Sequence, residues 1–271
     1  MHRFGFNGKH AIITGGSSGI GLAIAEELGR RGAVVSLIAR SADRLSAAAA
    51  QLSGQGISVH TASADVADKE AVAAAIAALA GTAGPCDILV TSAGQARPGY
   101  FLDIPDDVFQ QMINVDYFGT LWAIRAVLPD MIARKRGTIV AVSSATGLVG
   151  VFGYTAYGPA KFAVRGLMES LRAELLRHRI HVACLYPPDV DTPQLAEENH
   201  WKPGETAAIS GTIKPLSAQQ VARSVIRGIN HRKFAIYPDF QTHALGRLAS
   251  VIEPVLTRYM DRRVRRHQAQ Q

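Results

Sequence analysis

Cysteine is scarce in this chain, because Cys86 and Cys184 are the only two thiols among 271 residues. Two cysteines are too few for a disulfide framework, and both lie in or beside predicted strands, where a small apolar side chain fits. This usage favours a reducing compartment. Long apolar runs are also missing: none reaches the about eighteen uncharged residues that a membrane-spanning helix needs. The short stretch before the first predicted strand leaves no room for a signal peptide, so we expect a cytoplasmic protein.

Charge of either sign is modest, since charged residues make up 19% of the chain and apolar residues 48%. This balance excludes a disordered chain and is typical of a packed globular protein. The net charge of +7 is concentrated at the C-terminus, where residues 258–271 contribute +4 and the other 257 residues +3. A nearly balanced body argues against a nucleic-acid groove.

Seven short apolar runs alternate with longer helical patterns along the chain. Strands that alternate with helices form a parallel sheet covered on both faces, so the sequence predicts one α/β domain over residues 1–271. The predicted strands are His10–Thr14, Val34–Ala39, Ser58–Ser63, Ile88–Ser92, Thr138–Val142, His181–Tyr186 and Phe234–Tyr237. The predicted helices are Ile20–Arg31, Ala42–Leu52, Lys69–Ala80, Pro105–Arg134, Tyr157–His178, Ala218–Asn230 and Thr242–Arg266.

A glycine-rich turn, Thr14-Gly-Gly-Ser-Ser-Gly-Ile-Gly21, directly follows the first predicted strand. Glycines permit a sharp turn and a close approach of phosphate oxygens, and the following helix N-terminus offers free N–H groups. Between a strand and a helix, this pattern predicts a doubly wound, Rossmann-type fold with a dinucleotide site. The predicted contacts from this turn are Gly15, Ser17, Ser18, Gly19, Ile20 and Gly21.

Arg40 ends the second predicted strand, where an acidic side chain would usually bind the ribose hydroxyls of NAD(H). A guanidinium instead suits a phosphate dianion, and the Ser17 and Ser41 hydroxyls lie within reach. The sequence therefore favours NADP(H) as the cofactor. The alternative is a solvated arginine at a strand end.

The segment from Ser143 to Phe162 carries the groups that we expect to perform the chemistry. Tyr157 and Lys161 are four residues apart, so on a helix they share one face, and the ammonium should lower the pKa of the phenol. Ser144 ends the fifth predicted strand, which lets a strand end and a helix start converge on one carbonyl. The alternative is that Tyr157 and Lys161 share a helix surface by coincidence, without a catalytic role. The motifs elsewhere in the sequence decide between the two interpretations.

These motifs resemble the short-chain dehydrogenase/reductase family over nearly the whole chain. The resemblance rests on the glycine turn, Asp65-Val66, Ala93-Gly94, Asn114, Ser144, the pair of Tyr157 and Lys161, and Pro187–Thr192. It implies that Asp65 and Val66 hold the adenine, that Ala93, Gly94 and Pro187 lie against the cofactor, and that Val190 and Thr192 bind the carboxamide and pyrophosphate. It also implies that Lys161 binds the nicotinamide ribose, that Asn114 completes a water relay behind it, and that the chain forms a homodimer or homotetramer.

A narrower resemblance is to the 3-ketodihydrosphingosine reductases. It rests on Tyr186–Asn199 with its doubled proline, on Lys202-Pro203, Glu205-Thr206 and Ile209-Ser210, and on Gly150–Tyr157. It implies NADPH-dependent reduction of 3-ketodihydrosphingosine to dihydrosphingosine, with Tyr157 protonating the alkoxide and Ser144 donating a hydrogen bond to it. Two alternatives stay open: a reductase of another hydrophobic ketone, such as a steroid, a 3-ketoacyl group or a xenobiotic, and a catalytically silent NADP-binding regulatory protein.

The lipid hypothesis depends on a substrate lid at about residues 193–217 and a basic helix at about 242–266. The apolar residues that can line an acyl channel are Leu195, Trp201, Ile209, Ile213, Val149, Val151 and Phe152. Carboxylates of Asp189, Glu197 and Glu198 can bind a sphingoid ammonium, although adjacent glutamates are more often a solvated helix face. The basic helix can lie on an anionic membrane surface, and the alternative is a terminal helix packed on the body or on a partner.

Overall fold

A seven-stranded parallel sheet forms the centre of the computed structural model, which describes residues 4–210 and 214–269. Across the sheet the strand order is β3-β2-β1-β4-β5-β6-β9. These strands are β1 (His10–Thr14), β2 (Val34–Ala39), β3 (Val59–Ser63), β4 (Ile88–Thr91), β5 (Gly137–Val142), β6 (Ile180–Leu185) and β9 (Ala235–Ile236). A separate pair joins β7 (Val190–Asp191) to β8 (Leu216–Ser217). The predicted doubly wound parallel sheet is confirmed, and every strand end lies within one residue of the prediction.

Both faces of the sheet are apolar. Neighbouring residues of a strand point to opposite sides, and here both sets are apolar. The helices are α1 (Gly19–Gly29), α2 (Ala42–Ser53), α3 (Lys69–Ala83), α4 (Asp106–Met112), α5 (Gly119–Arg134), α6 (Tyr157–Leu175), α7 (Pro193–Asn199), α8 (Gly204–Ser210), α9 (Ala218–Asn230) and α10 (Phe240–Gln268). In β1, Ile13 packs in a core beneath α1, α2 and α9, whereas Ile12 packs in a core beneath α3, α5 and α6.

Both cysteines are buried, Cys184 within β6 and Cys86 just before β4. Burial raises the pKa of each thiol to about 12, so both remain neutral at physiological pH. They serve as small apolar side chains of the core, in agreement with the prediction.

A π-helical segment, Ile113–Phe118, separates α4 from α5 where the sequence predicts one uninterrupted helix over Pro105–Arg134. The amide of Gly119 donates to the carbonyl of Asn114, five residues earlier. The wider turn rotates the following side chains relative to an α-helix, and such turns are frequent at functional sites. Hydrophobic periodicity could not reveal it, because a single wide turn hardly changes the apolar pattern.

The predicted lid contains two short helices, α7 and α8, and Ile213 lies outside the described residues. The C-terminal helix α10 is longer than predicted and ends against this lid. There, the side-chain amide of Gln268 donates to Glu205 of α8 at 3.3 Å. Within residues 4–210 and 214–269, no helix combines the length and the apolar character required to cross a bilayer.

Candidate active site

A cleft of about 580 Å³ opens at the carboxyl ends of the central strands. The strand order reverses between β1 and β4, so the loops that follow these two strands diverge and leave a crevice at the sheet edge. The loop after β1, the end of β2 and the loop after β4 line one part of it. The end of β5, the start of α6 and the segment after β6 line the other part.

The glycine turn has the geometry that a bound pyrophosphate requires. Gly15 has a φ of +67°, and a Cβ atom there would lie 2.6 Å from the backbone nitrogen of Ala93, so no other residue fits. Ser18 precedes α1 and its hydroxyl makes no capping hydrogen bond. The amides of the first helical turn therefore remain free to bind an anion.

Most predicted cofactor contacts line this cleft. They are Gly15, Ser17, Ser18, Gly19, Ile20, Gly21, Arg40, Val66, Ala93, Gly94, Tyr157, Lys161, Pro187, Val190 and Thr192. Asp65 is not among the lining residues, because its carboxylate instead accepts a hydrogen bond from the amide of Ala67 at 3.0 Å. Asp65 thus shapes the turn that leads to α3.

Two arginines lie together at the end of the cleft beside β2. Arg40 was predicted from the sequence, whereas Arg44, one turn later in α2, was missed. Ser41 caps α2 by accepting a hydrogen bond from the backbone amide of Arg44 at 3.3 Å. In the part of the chain that the structure describes, neither guanidinium has an ion pair or a hydrogen bond. Two uncompensated guanidinium groups fit the 2′-phosphate of NADP(H).

Ser144, Tyr157 and Lys161 converge in the cleft. The Lys161 ammonium lies 5.4 Å from the centre of the Tyr157 ring, one helical turn away in α6. The Ser144 hydroxyl accepts a hydrogen bond from the amide of Thr146 at 3.2 Å, and it acts on the nearby Tyr157 phenol by lowering its pKa. Pro159 is tolerated because α6 begins at Tyr157, which places the proline in the first turn.

Lys161 is paired with a residue that the sequence analysis missed. Its ammonium lies 2.9 Å from Asp116 Oδ1 and donates to the carbonyl of Val142 at 3.1 Å. Asn114, which was expected to complete a water relay behind Lys161, is exposed, and no direct hydrogen bond joins the two side chains in the described structure. The relay through Asn114 stays a prediction, and the π-helical segment places Asp116 inward beside the lysine. A carboxylate within an otherwise apolar helical stretch was the signal that could have identified Asp116.

The pKa of Tyr157 is raised, whereas the sequence predicted that it is lowered. Burial raises it well above the ordinary value, and the carboxylates of Asp116 and Glu198 raise it further, although the hydrogen bond with Ser144 lowers it. The expected net lowering of this pKa is wrong, because burial of the phenol is the largest contribution and the neighbouring carboxylates act in the same direction. Tyr157 is therefore a protonated phenol at neutral pH, suited to donating a proton.

A second buried polar network adjoins the phenol. The Tyr154 ring centre lies 5.9 Å from that of Tyr157, and the Tyr154 hydroxyl donates to Glu198. The ammonium of Lys202 lies 3.1 Å from Asp189 and 3.6 Å from Glu198. Glu198 is 7% exposed, so the reading of a solvated helix face is wrong for this residue. Burial raises its pKa, whereas Tyr154 and Lys202 lower it.

The predicted substrate contacts divide into two groups. Asp189 and Leu195 line the cleft together with Ser144 and Tyr157, whereas Phe152 and Trp201 do not. The Phe152 ring packs edge-on against Tyr100 with 6.0 Å between centres. Trp201 is 45% exposed and is stacked under the guanidinium of Arg97 at 4.2 Å. Sequence spacing could not separate these groups, because the fold of the lid determines which side chains face inward.

Known proteins are similar to this chain in amino-acid sequence. Residues 9–203 match the family model described as short chain dehydrogenase. A 3-ketodihydrosphingosine reductase of Dictyostelium discoideum is 39% identical over 272 residues, covering 94% of this chain and 80% of the relative. A 3-dehydrosphinganine reductase of Danio rerio is 43% identical over 254 residues, covering 92% of this chain and 76% of the relative.

Solved structures share the fold, and several of them hold a dinucleotide. A short-chain dehydrogenase/reductase from Burkholderia phymatum in complex with NAD superposes with a TM-score of 0.83 at 25% identity, covering 93% of this chain and 96% of that one. L-Sorbose reductase from Gluconobacter frateurii, complexed with NADPH and L-sorbose, gives a TM-score of 0.77 at 29% identity, with coverages of 87% and 97%.

Proposed function

The chain belongs to the short-chain dehydrogenase family, and we propose that it reduces 3-ketodihydrosphingosine (3-ketosphinganine) to dihydrosphingosine with NADPH. The family match and the named reductases that it resembles support an NADP-dependent oxidoreductase. The observation that carries the substrate proposal is a pair of carboxylates around one ammonium beside Tyr157: buried Glu198 and partly exposed Asp189 both face Lys202. This network offers a place for an amine next to the ketone that the phenol would protonate.

The cofactor proposal rests on the glycine turn and on the two arginines. The free amides of α1 would hold the pyrophosphate, and Arg40 with Arg44 would hold the 2′-phosphate. Bound NADPH supplies the hydride that reduces the ketone. The described residues fit this cofactor at both ends of the cleft.

In the proposed mechanism, Tyr157 donates its phenolic proton to the oxygen of the ketone as charge develops there. Ser144 donates a hydrogen bond to the same oxygen, which stabilises the developing charge. Burial of the phenol raises its pKa and so keeps Tyr157 protonated. The phenolic oxygen of Tyr157 thus carries the proton that the ketone oxygen receives.

Amine recognition is proposed for Asp189 and Glu198. These two carboxylates face one ammonium, that of Lys202, so the network retains a negative charge when both are ionised. A substrate ammonium one carbon away from the ketone would balance that charge while the ketone contacts Tyr157. The deaminated ketone would leave the network uncompensated, which disfavours its binding.

We expect the protein to prefer a long-chain 2-amino-3-ketone over its deaminated twin by about tenfold or more in kcat/KM, the worth of one charged hydrogen bond. The change Glu198→Gln should reduce this preference several-fold, because it removes a negative charge while keeping the shape. NADPH oxidation with the two substrates is the measurement, and Glu174→Gln on the outer part of α6 is the matched control. Equal kcat/KM for both substrates in the unaltered protein would refute amine recognition.

For partners, we propose peripheral contact of α10 with an anionic membrane and assembly into a homodimer or homotetramer. Exposed apolar side chains of α10 precede its exposed arginines, which supports the membrane contact: Leu248, Val255 and Tyr259 come before Arg262, Arg265 and Arg266.

Phe162 of α6 is 41% exposed, which supports assembly through this helix. Sedimentation equilibrium measures the assembly state.

We expect the double change Arg265→Gln and Arg266→Gln to weaken binding to phosphatidylserine-containing vesicles at least tenfold, because each cation near such a surface contributes about 1 kcal/mol. Vesicle flotation at low and at high salt is the measurement, with Arg223→Gln and Arg227→Gln on α9 as the matched control. Binding that persists in the double variant, or in high salt, would contradict a contact made by these charges.

A further inference from the structure

Three consecutive apolar side chains are exposed in a turn between β4 and α4. The amide of Asp103 donates to the carbonyl of Tyr100 at 2.9 Å and closes the turn. Tyr100 is 45% exposed, and the two central residues, Phe101 and Leu102, are 63% and 91% exposed. Central positions of turns are usually occupied by glycine, proline or small polar residues. Adjacent large apolar side chains at this place therefore indicate that the turn contacts an apolar partner.

The base of this turn is fixed to the body of the protein on both sides. Ile104, which follows the turn, is 7% exposed and packs in the apolar cluster that contains Tyr154 and Tyr157. Before the turn, the amide of Gly99 donates to the carbonyl of Gly153 at 2.9 Å. The exposed apolar apex thus projects from an anchored base that lies beside the active-site tyrosine.

A buried carboxylate connects the turn to the C-terminal helix. Glu205 of α8 is 2% exposed, and its Oε2 atom accepts a hydrogen bond from the Tyr100 hydroxyl at 2.9 Å. Its Oε1 atom accepts a hydrogen bond from the side-chain amide of Gln268 at 3.3 Å. A Cβ atom at Gly204 would collide with the His267 ring, so the end of α10 lies directly against the start of α8. The apolar turn and the end of α10 are therefore neighbours on the surface.

The mouth of the cleft adjoins the same turn. Gln95 and Ala96, which line the cleft, directly precede the loop that leads to it. Trp201 of the lid is 45% exposed, and its indole donates to Glu197, another lining residue, at 3.4 Å. The guanidinium of Arg97 lies 4.2 Å from the centre of the Trp201 ring. Exposed tryptophan is typical of protein surfaces that lie at the boundary between water and lipid.

The charges around the turn determine which apolar partner fits. Three exposed arginines lie within about two helical turns of Gln268, namely Arg262, Arg265 and Arg266. Three exposed aspartates lie in or just after the turn, namely Asp103, Asp106 and Asp107. The aspartates do not attract an anionic surface, so at the turn itself only apolar burial favours contact, and the arginines of α10 supply the attraction. Stable binding to a bilayer usually requires two such contributions together.

We propose that the turn at Phe101 and Leu102 inserts into an anionic bilayer and, together with the arginines of α10, holds the mouth of the cleft at the membrane surface. The inference rests on the proposed function in one respect, that α10 contacts such a membrane. A long-chain ketone then passes from the bilayer to Tyr157 without exposing its acyl chain to water, which would cost free energy in proportion to the exposed apolar area.

A fluorescent label at position 102 tests the insertion directly. Cys86 and Cys184 are buried, neutral thiols, so a thiol-reactive NBD dye labels the variant Leu102→Cys at the new thiol alone. With vesicles of phosphatidylcholine and phosphatidylserine, we expect the NBD emission to rise, to shift to shorter wavelength and to be quenched by doxyl groups on the acyl chains. The matched control is Leu176→Cys, which should not respond. Leu176 is 66% exposed and precedes β6, at the sheet edge opposite the cleft.

The outcomes of the labelling experiment separate the possible occupants of the turn. Unchanged emission of the Leu102→Cys label on vesicle-bound protein would show that α10 binds alone, which overturns the inference and leaves the membrane contact of α10. A change that needs no vesicles and grows with protein concentration would identify a second copy of the chain as the occupant, which also overturns it. Absence of vesicle binding would remove the inference together with the proposed membrane contact.

The double change Phe101→Asn and Leu102→Asn provides a second test, because asparagine is readily accepted in turns. We expect binding to phosphatidylserine-containing vesicles to weaken about tenfold or more, since the apolar contribution is lost. For a long-chain 2-amino-3-ketone embedded in such vesicles, kcat/KM should fall about as much, whereas kcat/KM for a short-chain, water-soluble analogue should not change. Leu176→Asn is the matched control.

Equal losses of kcat/KM for both substrates would contradict the inference, because they would show that the variant disturbs the cleft and not the delivery of the lipid. If instead no 2-amino-3-ketone is reduced by the unaltered protein, the substrate proposal fails while the label at position 102 still reports whether the turn inserts. The two proposals are therefore tested separately.

Discussion

Replacing Tyr157 by phenylalanine should lower turnover by ~10²-fold or more and leave NADPH affinity nearly unchanged. The phenol is the group placed to give a proton to the ketone oxygen, and phenylalanine retains the ring but not the proton. Without its hydroxyl, residue 157 also donates no hydrogen bond to the substrate oxygen, which leaves Ser144 as the remaining donor of the proposed pair. The ring itself fills a buried position beside Tyr154, which phenylalanine preserves.

The measurements are single-turnover NADPH oxidation and NADPH binding by fluorescence. Tyr237→Phe is the matched control, because this tyrosine is stacked on Tyr186 outside the cleft and should retain full turnover. Undiminished turnover in Tyr157→Phe would remove the central assignment. A parallel loss of NADPH affinity would show instead that the variant disturbs the cofactor site.

The double change Arg40→Ala and Arg44→Ala should weaken NADPH binding by ~10²-fold or more, because each hydrogen bond between charged groups contributes about 1.5–3 kcal/mol. NADH affinity should change little, since NADH has no 2′-phosphate for these arginines to bind. The two single variants should each show part of the effect, which tests whether Arg44 shares the role with Arg40.

Isothermal titration with each cofactor is the measurement. The control is Arg125→Ala, an exposed arginine of α5 that is distant from the end of β2 in sequence and is not part of the cleft. Equal losses for NADPH and NADH would contradict the assignment, because they would place the arginines on the part that both cofactors share. A preserved NADPH affinity would leave the arginines as solvated surface charges.

Local sequence patterns were sufficient to predict most residues of the proposed cofactor site. The glycine turn could be assigned because its function depends on residues adjacent in the chain, and α1 follows it directly. Arg40 could be found for the same reason, since strand β2 ends beside it. Arg44 was missed although it lies one helical turn away, because the direction of a helix-borne arginine depends on how α2 packs against the sheet.

In the lid, local sequence patterns were not sufficient to assign the side chains that face the cleft. Glu197 and Glu198 are neighbours with identical side chains, yet Glu198 is buried against Tyr154 whereas Glu197 accepts a hydrogen bond from exposed Trp201 at 3.4 Å. Trp201 is only four residues from Glu197, whereas Tyr154 is 44 residues from Glu198 in the chain. No local pattern could show that Glu198 is the glutamate that meets such a remote partner.

By itself, the sequence determined the doubly wound sheet, the dinucleotide turn and the grouping of Ser144, Tyr157 and Lys161, because periodicity and short spacing define strands, helix faces and turns. Only the tertiary structure decided that Asp116 meets Lys161 and that burial raises the pKa of Tyr157. The physical reason is that burial and charge pairing depend on distances of a few ångströms through space, and a single π-helical turn, invisible to the apolar pattern, selects which side chain comes within that distance.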